Sequence, residues 1–304
     1  MNLFLENLQK KPKKLLVLSI LRILIGFHLL KDLILNWTSL ELLYSNNTYL
    51  VQPETSHISQ NLLSIFTQNY QYFITIYSLV IVMFLFGIGK NITVIILYIL
   101  IDLIQRIGGS YTLNGGDNWL KFLVLYMMFC NSFEYFVISK KQWFSSSWLS
   151  NVLTNIFSFS VMFHFCIIYF FSAFYKINAE VWANGVANYY VLNIDRFKSS
   201  ELNDWITSSG YLVTITTYVV ILWEISFPFL VWKNRLYRNI LLSLGIVIHL
   251  GIYFMMNIHD FEILFIFTYI IFFDDYEIKK IALYLRKIKS KTLSKLDKSL
   301  LPVR

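Results

Sequence analysis

Apolar residues gather into long runs along this chain instead of alternating with polar residues. About 20 mostly apolar residues are enough for a helix to cross a bilayer, and the two-residue alternation of barrel strands is absent. Because lipid cannot satisfy free backbone amides, the runs are predicted to be helices. The pattern predicts an all-α, polytopic transmembrane helical bundle of about eight spans. The candidate spans are residues 15–36, 72–89, 92–107, 119–138, 152–175, 211–232, 239–257 and 261–273.

Lysine and arginine are concentrated in every second connection between these spans. One set of connections holds ten of them before the C-terminal tail, whereas the opposite loops hold Lys176, Arg196 and Lys198. Cytoplasmic loops carry such an excess, which predicts that both termini lie in the cytoplasm. The chain then divides into a cytoplasmic basic N-terminus, a transmembrane domain and a cytoplasmic basic tail, at residues 1–14, 15–273 and 274–304.

Hydrophobic residues make up 57% of the 304 residues, and charged residues only 14%. A soluble domain rarely has this composition, which favours a multi-pass protein of the cell membrane. The abundance of Lys, Asn, Ile, Phe and Tyr is typical of an AT-rich, bacterial genome.

The net charge of +8 follows mostly from membrane orientation. The basic tail can form an amphipathic helix on anionic lipid, or it can be a plain solvated tail. Nucleic acid is not an expected partner, because no stacking or groove-reading module accompanies the charge. Cys130 and Cys166 lie in separate apolar segments and are predicted to be inert thiols. The sequence contains no metal-ligand cluster.

Ionisable residues within the spans are costly in lipid, so each is a candidate for function or for an ion pair between helices. Asp102 and Arg106 share one helix face and are predicted to form a structural pair. Arg22 lies deep in the first span, and Glu224 in the sixth span is its candidate partner. His28, Lys31 and Asp32 cluster near the outer end of the first span.

The segment YFFSAFYKINAEVWANGVANYY, residues 169–190, ends the fifth span with a lysine. Lys176 can snorkel to the membrane interface or, held partly desolvated, it can act as a base. Gly185 allows a close turn after it. Interfacial aromatic residues follow the lysine: Trp182, Tyr189 and Tyr190.

NGGDNW at residues 114–119 predicts a tight turn into the fourth span. Gly115 and Gly116 can take the positive φ that such a turn needs. Asp117 is placed to cap the following helix by accepting backbone N–H groups, and contact with a substrate is the alternative.

Three stretches, in order over nearly the whole chain, resemble the HTTM membrane-domain family, which includes vitamin K-dependent gamma-carboxylase. They are residues 169–190, NGGDNWLKFLVLY at 114–126, and EISFPFLVWKNRLYRNILLSLGIVIHLGIYFMMNIHDF at 224–261. The GGD tripeptide and the W-x-N-G-x-A-x-Y-Y run are similar to the bacterial SdpB group of that family.

The resemblance to the SdpB group implies a membrane factor that assists maturation or export of a small secreted antimicrobial peptide. Its implied partners are membrane lipid, the peptide precursor and a companion maturation protein. The resemblance to the carboxylase implies an enzyme instead, a gamma-carboxylase-like lyase. There Lys176 would be the base that deprotonates a membrane quinone such as vitamin K hydroquinone. One residue more than in the carboxylase separates Lys176 from Trp182, and no further catalytic histidine segment matches.

The polar residues of the first, fifth and seventh spans predict one outward-facing cavity, because membrane sites gather polar groups away from lipid. Lys176 is expected in this cavity, with two candidate catalytic histidines, His164 and His249, lower on its wall. A lone histidine can equally be an interhelical hydrogen-bonding residue. The binding residues expected around the cavity are Trp182, Gly185, Tyr189, Tyr190, Glu224 and Asp117.

Overall fold

The computed structural model describes residues 8–45, 60–107, 114–138, 148–256 and 258–300. Over these ranges the chain is helical and contains no β-strand, only an isolated bridge between Lys198 and Met256. Short 3-10 turns cover Trp37–Ser39 and Tyr269–Phe272. In chain order, the α-helices are α1 Leu15–Leu35, α2 Leu40–Tyr44, α3 Gln60–Gln68, α4 Tyr70–Phe86, α5 Asn91–Ile107, α6 Gly115–Met127, α7 Trp148–Ile177, α8 Glu180–Ala183, α9 Ala187–Leu192, α10 Glu201–Thr207, α11 Gly210–Leu230, α12 Arg235–Met255, α13 His259–Thr268 and α14 Asp275–Leu300.

Three of the described helices, α7, α11 and α12, are long and apolar enough to cross a membrane. Helix α4 is similarly apolar but has 17 residues. Helix α1 has 21 residues but carries three charged side chains, Arg22, Lys31 and Asp32. The structure is therefore that of an all-helical protein compatible with a membrane location.

The predicted fourth span, residues 119–138, is wrong in its second half. Helix α6 ends at Met127, and residues 128–138 run as irregular backbone. The Arg22 side chain is fully buried and explains this course. Its guanidinium donates to the carbonyl oxygens of Ser132 at 2.8 Å and Phe136 at 2.6 Å. Irregular backbone is tolerated at membrane depth where protein groups satisfy it.

The expected pairing of Arg22 with Glu224 is also wrong. Arg22 donates from Nη1 and Nη2 to carbonyls of segment 128–138, while its Nε has no hydrogen-bond partner within the described ranges. The guanidinium lies 4.9 Å from the centre of the Phe133 ring. Glu224 instead pairs with a lysine, Lys176. A guanidinium has five N–H donors in a fixed planar arrangement, so it can donate to several carbonyl oxygens at once.

Helix α13 lies centrally in the bundle, in contact with α1, α6 and α12, while α7 packs along α11 and α1 along α4. Aromatic rings fill the space between these helices. The Trp119 ring is 1% exposed and lies 5.3 Å from that of Phe165. Its indole N–H donates to Thr268 Oγ1 at 2.9 Å, which satisfies the one polar atom that this large ring buries. The main apolar core is thus continuous and contains a few fixed polar contacts, and a small second cluster of Leu192, Ile206 and Met256 is separate from it.

The beginnings of α1 and α14 meet at one end of the bundle. Lys14 Nζ donates to the carbonyls of Ile271 and Phe273, each at 2.9 Å, and burial lowers the pKa of this lysine. The Asp275 carboxylate accepts the backbone N–H of Leu16 at 2.9 Å. It therefore satisfies one of the free donors at the start of α1.

The basic tail helix α14 is fixed to the bundle through Glu277. This carboxylate lies 2.7 Å from Arg238 Nη2 and 2.8 Å from Arg235 Nε. Burial acts to raise the pKa of Glu277, but the hydrogen bonds from Arg238 and from the Asp274 N–H, together with the charges of Arg238 and Arg235, outweigh it and hold the pKa below its usual value. Charge pairs thus fix the start of the tail, alongside the apolar contact of Ile278 with the core.

Candidate functional site: a polar network between α7, α11, α12 and α13

Lys176 lies in the last turn of α7 and points back towards α11. Its ammonium donates to the Glu224 carboxylate and, at 3.1 Å, to Ser172 Oγ one turn earlier on α7. The Trp182 ring covers it, with 5.0 Å between Nζ and the ring centre. The side chain is 22% exposed, so Lys176 is neither buried nor free in the interface. We call Ser172, Lys176 and Glu224 the lysine cluster.

Glu224 is the buried member of the lysine cluster, with a side chain 8% exposed. Its Oε1 atom accepts from both Lys176 and Ser172, the latter at 3.0 Å. Its Oε2 atom is buried and has no hydrogen-bond partner within the described ranges. A buried carboxylate oxygen without a donor is costly, so this atom is a point where the protein can accept a proton or a ligand donor.

His249 is the centre of a second group of polar side chains, on α12. Its Nδ1 bonds to the carboxylate of Glu262 on α13, and its Nε2 lies 2.8 Å from the Tyr169 hydroxyl. That hydroxyl lies 2.8 Å from the hydroxyl of Tyr269. All four side chains are buried. We call Tyr169, His249, Glu262 and Tyr269 the histidine cluster.

The histidine cluster forms a directional chain of hydrogen bonds. With Glu262 ionised, its carboxylate can only accept, so Nδ1 of His249 carries a hydrogen. In the neutral ring Nε2 then accepts from Tyr169, whose oxygen in turn accepts from Tyr269. Such a chain can hold a proton or pass one along its length.

The two clusters lie close enough to interact. Tyr169 and Ser172 are three residues apart on α7 and so face the same side of the helix. Electrostatic interactions join Lys176 to Glu262 and Tyr169 to Glu224. Together the two clusters extend from the partly exposed Lys176 to the buried centre of the bundle.

Sequence reasoning missed four members of this network: Tyr169, Ser172, Glu262 and Tyr269. A glutamate within the short apolar run 261–273 was the available signal, because an ionisable residue in a span is costly. The tyrosines had no such signal, since aromatic residues are abundant throughout this chain.

The segment after Lys176 folds into two short helices, α8 and α9, joined by a turn at Gly185. Its φ of 72° is in the left-handed region, and a Cβ there would lie 2.9 Å from the Tyr218 ring. Glycine is therefore required for both reasons. Of the aromatic residues predicted for binding, Trp182 contacts the lysine, whereas Tyr189 and Tyr190 are exposed.

His164 lies apart from the network. Its Nδ1 is 3.0 Å from the Tyr126 hydroxyl, and its ring meets Trp119 edge-on at 5.3 Å. Of the two candidate histidines, only His249 thus lies beside the lysine cluster. Arg106 donates to Asp102 at 2.7 Å, the geometry expected for a structural pair four residues apart.

The NGGDNW turn is built differently from the sequence prediction. Gly115 and Gly116 form the first turn of α6 without positive φ, and Asn114 is the N-cap. Asp117 is its reciprocal partner, accepting the Asn114 N–H at 2.9 Å in a capping box. Glycine is needed at 116 because a Cβ would lie 2.9 Å from the Phe261 Cα.

A cavity of about 350 Å³ lies at the end of the bundle where α1 ends and α13 begins. Asp117 lines it, together with Asp32 and Asp260. Lys176, His164 and His249 are not among its lining residues. The residues expected around one cavity therefore lie in three places: Lys176 and His249 in the polar network, His164 apart from it, and Asp117 at this cavity. Within the described ranges, no group of His, Cys, Asp and Glu could hold a metal ion.

Searches with this chain against protein-family models, curated proteins and solved structures found no match.

Proposed function

We propose that this protein is a multi-pass protein of the bacterial cell membrane, an HTTM-like factor of the SdpB type that assists maturation or export of a small secreted peptide. The observation that carries the proposal is the lysine cluster. Lys176 is partly exposed at the end of a helix and is paired with the buried Glu224, so a polar group of a peptide can reach it. Polar networks inside apolar bundles are costly and usually functional.

The proposed topology has eight crossings with both termini in the cytoplasm. Contact between the starts of α1 and α14 supports an even number of crossings, because it brings both terminal segments to one end. The excess of lysine and arginine at that end supports the cytoplasmic assignment. In this proposal α1, α4 and α5 cross although they are shorter or more polar than α7, α11 and α12. Helix α6 has 13 residues and α13 has ten, so α6 crosses together with segment 128–138 and α13 together with the turn Tyr269–Phe272.

Cysteine-accessibility labelling in intact cells tests this topology. Single cysteines placed in the loops 37–71 and 176–210 should react with a membrane-impermeant reagent, and cysteines in 140–148 should react only after lysis. Positions 46–59 and 139–147 lie outside the described residues, so Trp37 and Asn193 are suitable positions on the first two loops. Reaction of the 140–148 loop in intact cells would refute the proposed orientation.

In the proposed function, Lys176 binds the incoming peptide through a carbonyl or carboxylate group. Its ammonium has three donors, of which Ser172 and Glu224 take two. A third donor is left for the peptide. Trp182 offers an aromatic face beside the ammonium, and the exposed Tyr189 and Tyr190 are placed for the amphipathic interface through which a peptide would approach.

Substitution of Lys176 by methionine tests the proposal, because it keeps most of the stem's volume and removes the charge. In a producing strain, Lys176→Met should lower secreted mature peptide at least about tenfold, since one charge-assisted hydrogen bond is worth roughly 1.5–3 kcal/mol. The readout is mass spectrometry of the culture medium, with membrane abundance measured by immunoblot.

Two further variants make this test specific. Lys198→Met is the matched control, since Lys198 lies in the same segment but pairs with the exposed Asp204; it should secrete normally. Lys176→Met/Glu224→Gln removes both charges and keeps the interior balanced, so it should lose secretion while remaining abundant. Normal secretion from Lys176→Met would leave the lysine as an interfacial anchor and overturn the proposal.

A second candidate function, a quinone-dependent enzyme with carboxylase-like chemistry, is favoured by one observation, the unpartnered Oε2 of Glu224. Lys176 can pass a proton to this buried carboxylate, which leaves a neutral amine and a neutral acid in an apolar environment. Nζ would then take a proton from a hydroquinone hydroxyl. When bound, the quinone would supply the redox chemistry.

Solvent extraction of the purified protein distinguishes the two candidates. A quinone recovered in stoichiometric amount from the wild type but not from Lys176→Met would favour the enzyme. Loss of secreted peptide without any recovered quinone would favour the peptide factor. A neighbouring gene for a small secreted precursor would also favour the peptide factor, and one for a quinone reductase the enzyme.

A further inference from the structure

The cavity between α1, α5, α6 and α13 carries more negative than positive charge. Lys31 Nζ lies 3.0 Å from Asp32 and also bonds to Asp260. Within the described ranges, the Asp117 carboxylate accepts the backbone N–H of Asn114 at 2.9 Å. The three carboxylates are close enough to repel one another. One lysine thus faces three aspartates.

His28 does not remove this imbalance. Its Nε2 lies 3.3 Å from Asp32, and even a protonated ring would leave two cations facing three carboxylates. Gln105 Oε1, a buried acceptor beside the cavity, has no hydrogen bond within the described ranges, whereas Asp32 Oδ1 lies 3.0 Å from Lys31 Nζ. Buried acceptors are normally satisfied. The site therefore has an excess of negative charge and one buried acceptor that lacks a donor.

The rest of the wall is apolar, with Ile74, Ile104 and Leu33 among the lining residues. The volume of about 350 Å³ falls within the roughly 300–1,000 Å³ of small-molecule pockets and is far larger than a metal ion needs. The ligand that fits such a wall has a cationic head with several donors and an apolar chain.

We propose that this cavity binds an amphipathic primary amine. Its ammonium would lie among Asp32, Asp117 and Asp260, with an N–H group directed to Gln105 Oε1, and its chain would pack on Ile74 and Ile104. An amine-bearing lipid headgroup and a lysine side chain on an apolar peptide share this chemistry. The site is separate from Lys176 and does not depend on the function proposed above.

Photolabelling of the purified full chain tests this site. The protein is placed in nanodiscs of phosphatidylcholine and phosphatidylglycerol, which carry no primary amine, and is exposed to a diazirine-bearing dodecylamine. Saturable labelling of α4 and α5 residues that line the cavity is expected, at least about tenfold stronger than with the matching dodecanol probe, because the charged hydrogen bonds are lost with the alcohol. Competition by phosphatidylethanolamine or by a lysine-containing apolar peptide identifies the source of the amine.

Two variants change the site in independent ways. Asp117→Asn/Asp260→Asn removes charge, and Ile104→Phe fills the cavity without altering charge; each should reduce labelling about tenfold in protein that still elutes as a folded species. Asp204→Asn, on the exposed α10, is the control and should label normally. Equal labelling by amine and alcohol, or normal labelling of the folded Ile104→Phe protein, would overturn the proposal.

Discussion

Replacing Arg22 with leucine is expected to loosen segment 128–138 while the remaining bundle stays folded. The guanidinium makes two short hydrogen bonds, to Ser132 and Phe136, and a longer one of 3.3 Å to Tyr135. A hydrogen bond from a charged donor contributes about 1.5–3 kcal/mol. Leucine also removes the free-energy cost of burying a charge, so we take the lower end of that range, about 1.5 kcal/mol, for each of the two short hydrogen bonds. The free energy of unfolding should fall by about 3 kcal/mol.

Unfolding in mixed detergent micelles, followed by tryptophan fluorescence, measures this loss. Arg106→Leu is the matched control, because that arginine is 45% exposed and, among the residues the structure describes, forms its ion pair with Asp102 on its own helix. Its loss should cost less than about 0.5 kcal/mol, as for other exposed helical pairs. An Arg22→Leu protein no less stable than the Arg106→Leu protein would refute the account of segment 128–138.

Two native thiols give a local readout of the same change. Cys130 lies in segment 128–138 and is 1% exposed, whereas Cys166 lies in α7 and is 3% exposed. In Arg22→Leu, Cys130 should react with a thiol reagent much faster than in the wild type, and Cys166 should not. Equal acceleration of both cysteines would indicate global unfolding rather than release of this segment. Peptide mapping by mass spectrometry assigns the labelled thiol.

Gly116→Ala should lower the free energy of unfolding by about 1–3 kcal/mol, because its Cβ would meet the backbone of Phe261. Gly210→Ala, where no atom lies within 4 Å of the added Cβ, should leave stability unchanged or slightly higher in the same detergent titration. Equal effects would contradict the packing explanation. The pKa of Glu277 in the folded protein is below its value in the unfolded chain. Its carboxylate therefore stabilises the fold fully above the unfolded pKa, and this stabilisation is lost as the pH falls through the folded pKa. The thermal midpoint should therefore drop on acidification below about pH 4.3, and less steeply in Glu277→Gln; parallel curves would contradict the Arg238 contact.

The helical architecture could be predicted from the sequence because it follows from local pattern. Long apolar runs must satisfy their backbone internally, so the positions of α1, α4, α5, α7, α11 and α12 agree with predicted spans to within a few residues. The pair Asp102–Arg106 was predictable for the same reason, since a spacing of four residues on a helix fixes which side chains meet. Lys176 stood out because it ends an apolar run and is followed at once by polar and interfacial aromatic residues.

Contacts between distant segments were decided only by the tertiary structure. The sequence indicated that Arg22 and Glu224 are charges within spans and need partners. It did not indicate which of the several possible partners each one contacts. Packing placed Lys176 beside Glu224, and it placed backbone carbonyls 110 or more residues away beside Arg22. These contacts also explain why the apolar run 119–138 is not one helix. Its hydrophobicity alone is compatible with a span. The buried guanidinium of Arg22, on another helix, satisfies carbonyls of segment 128–138 and so allows the backbone to be irregular there.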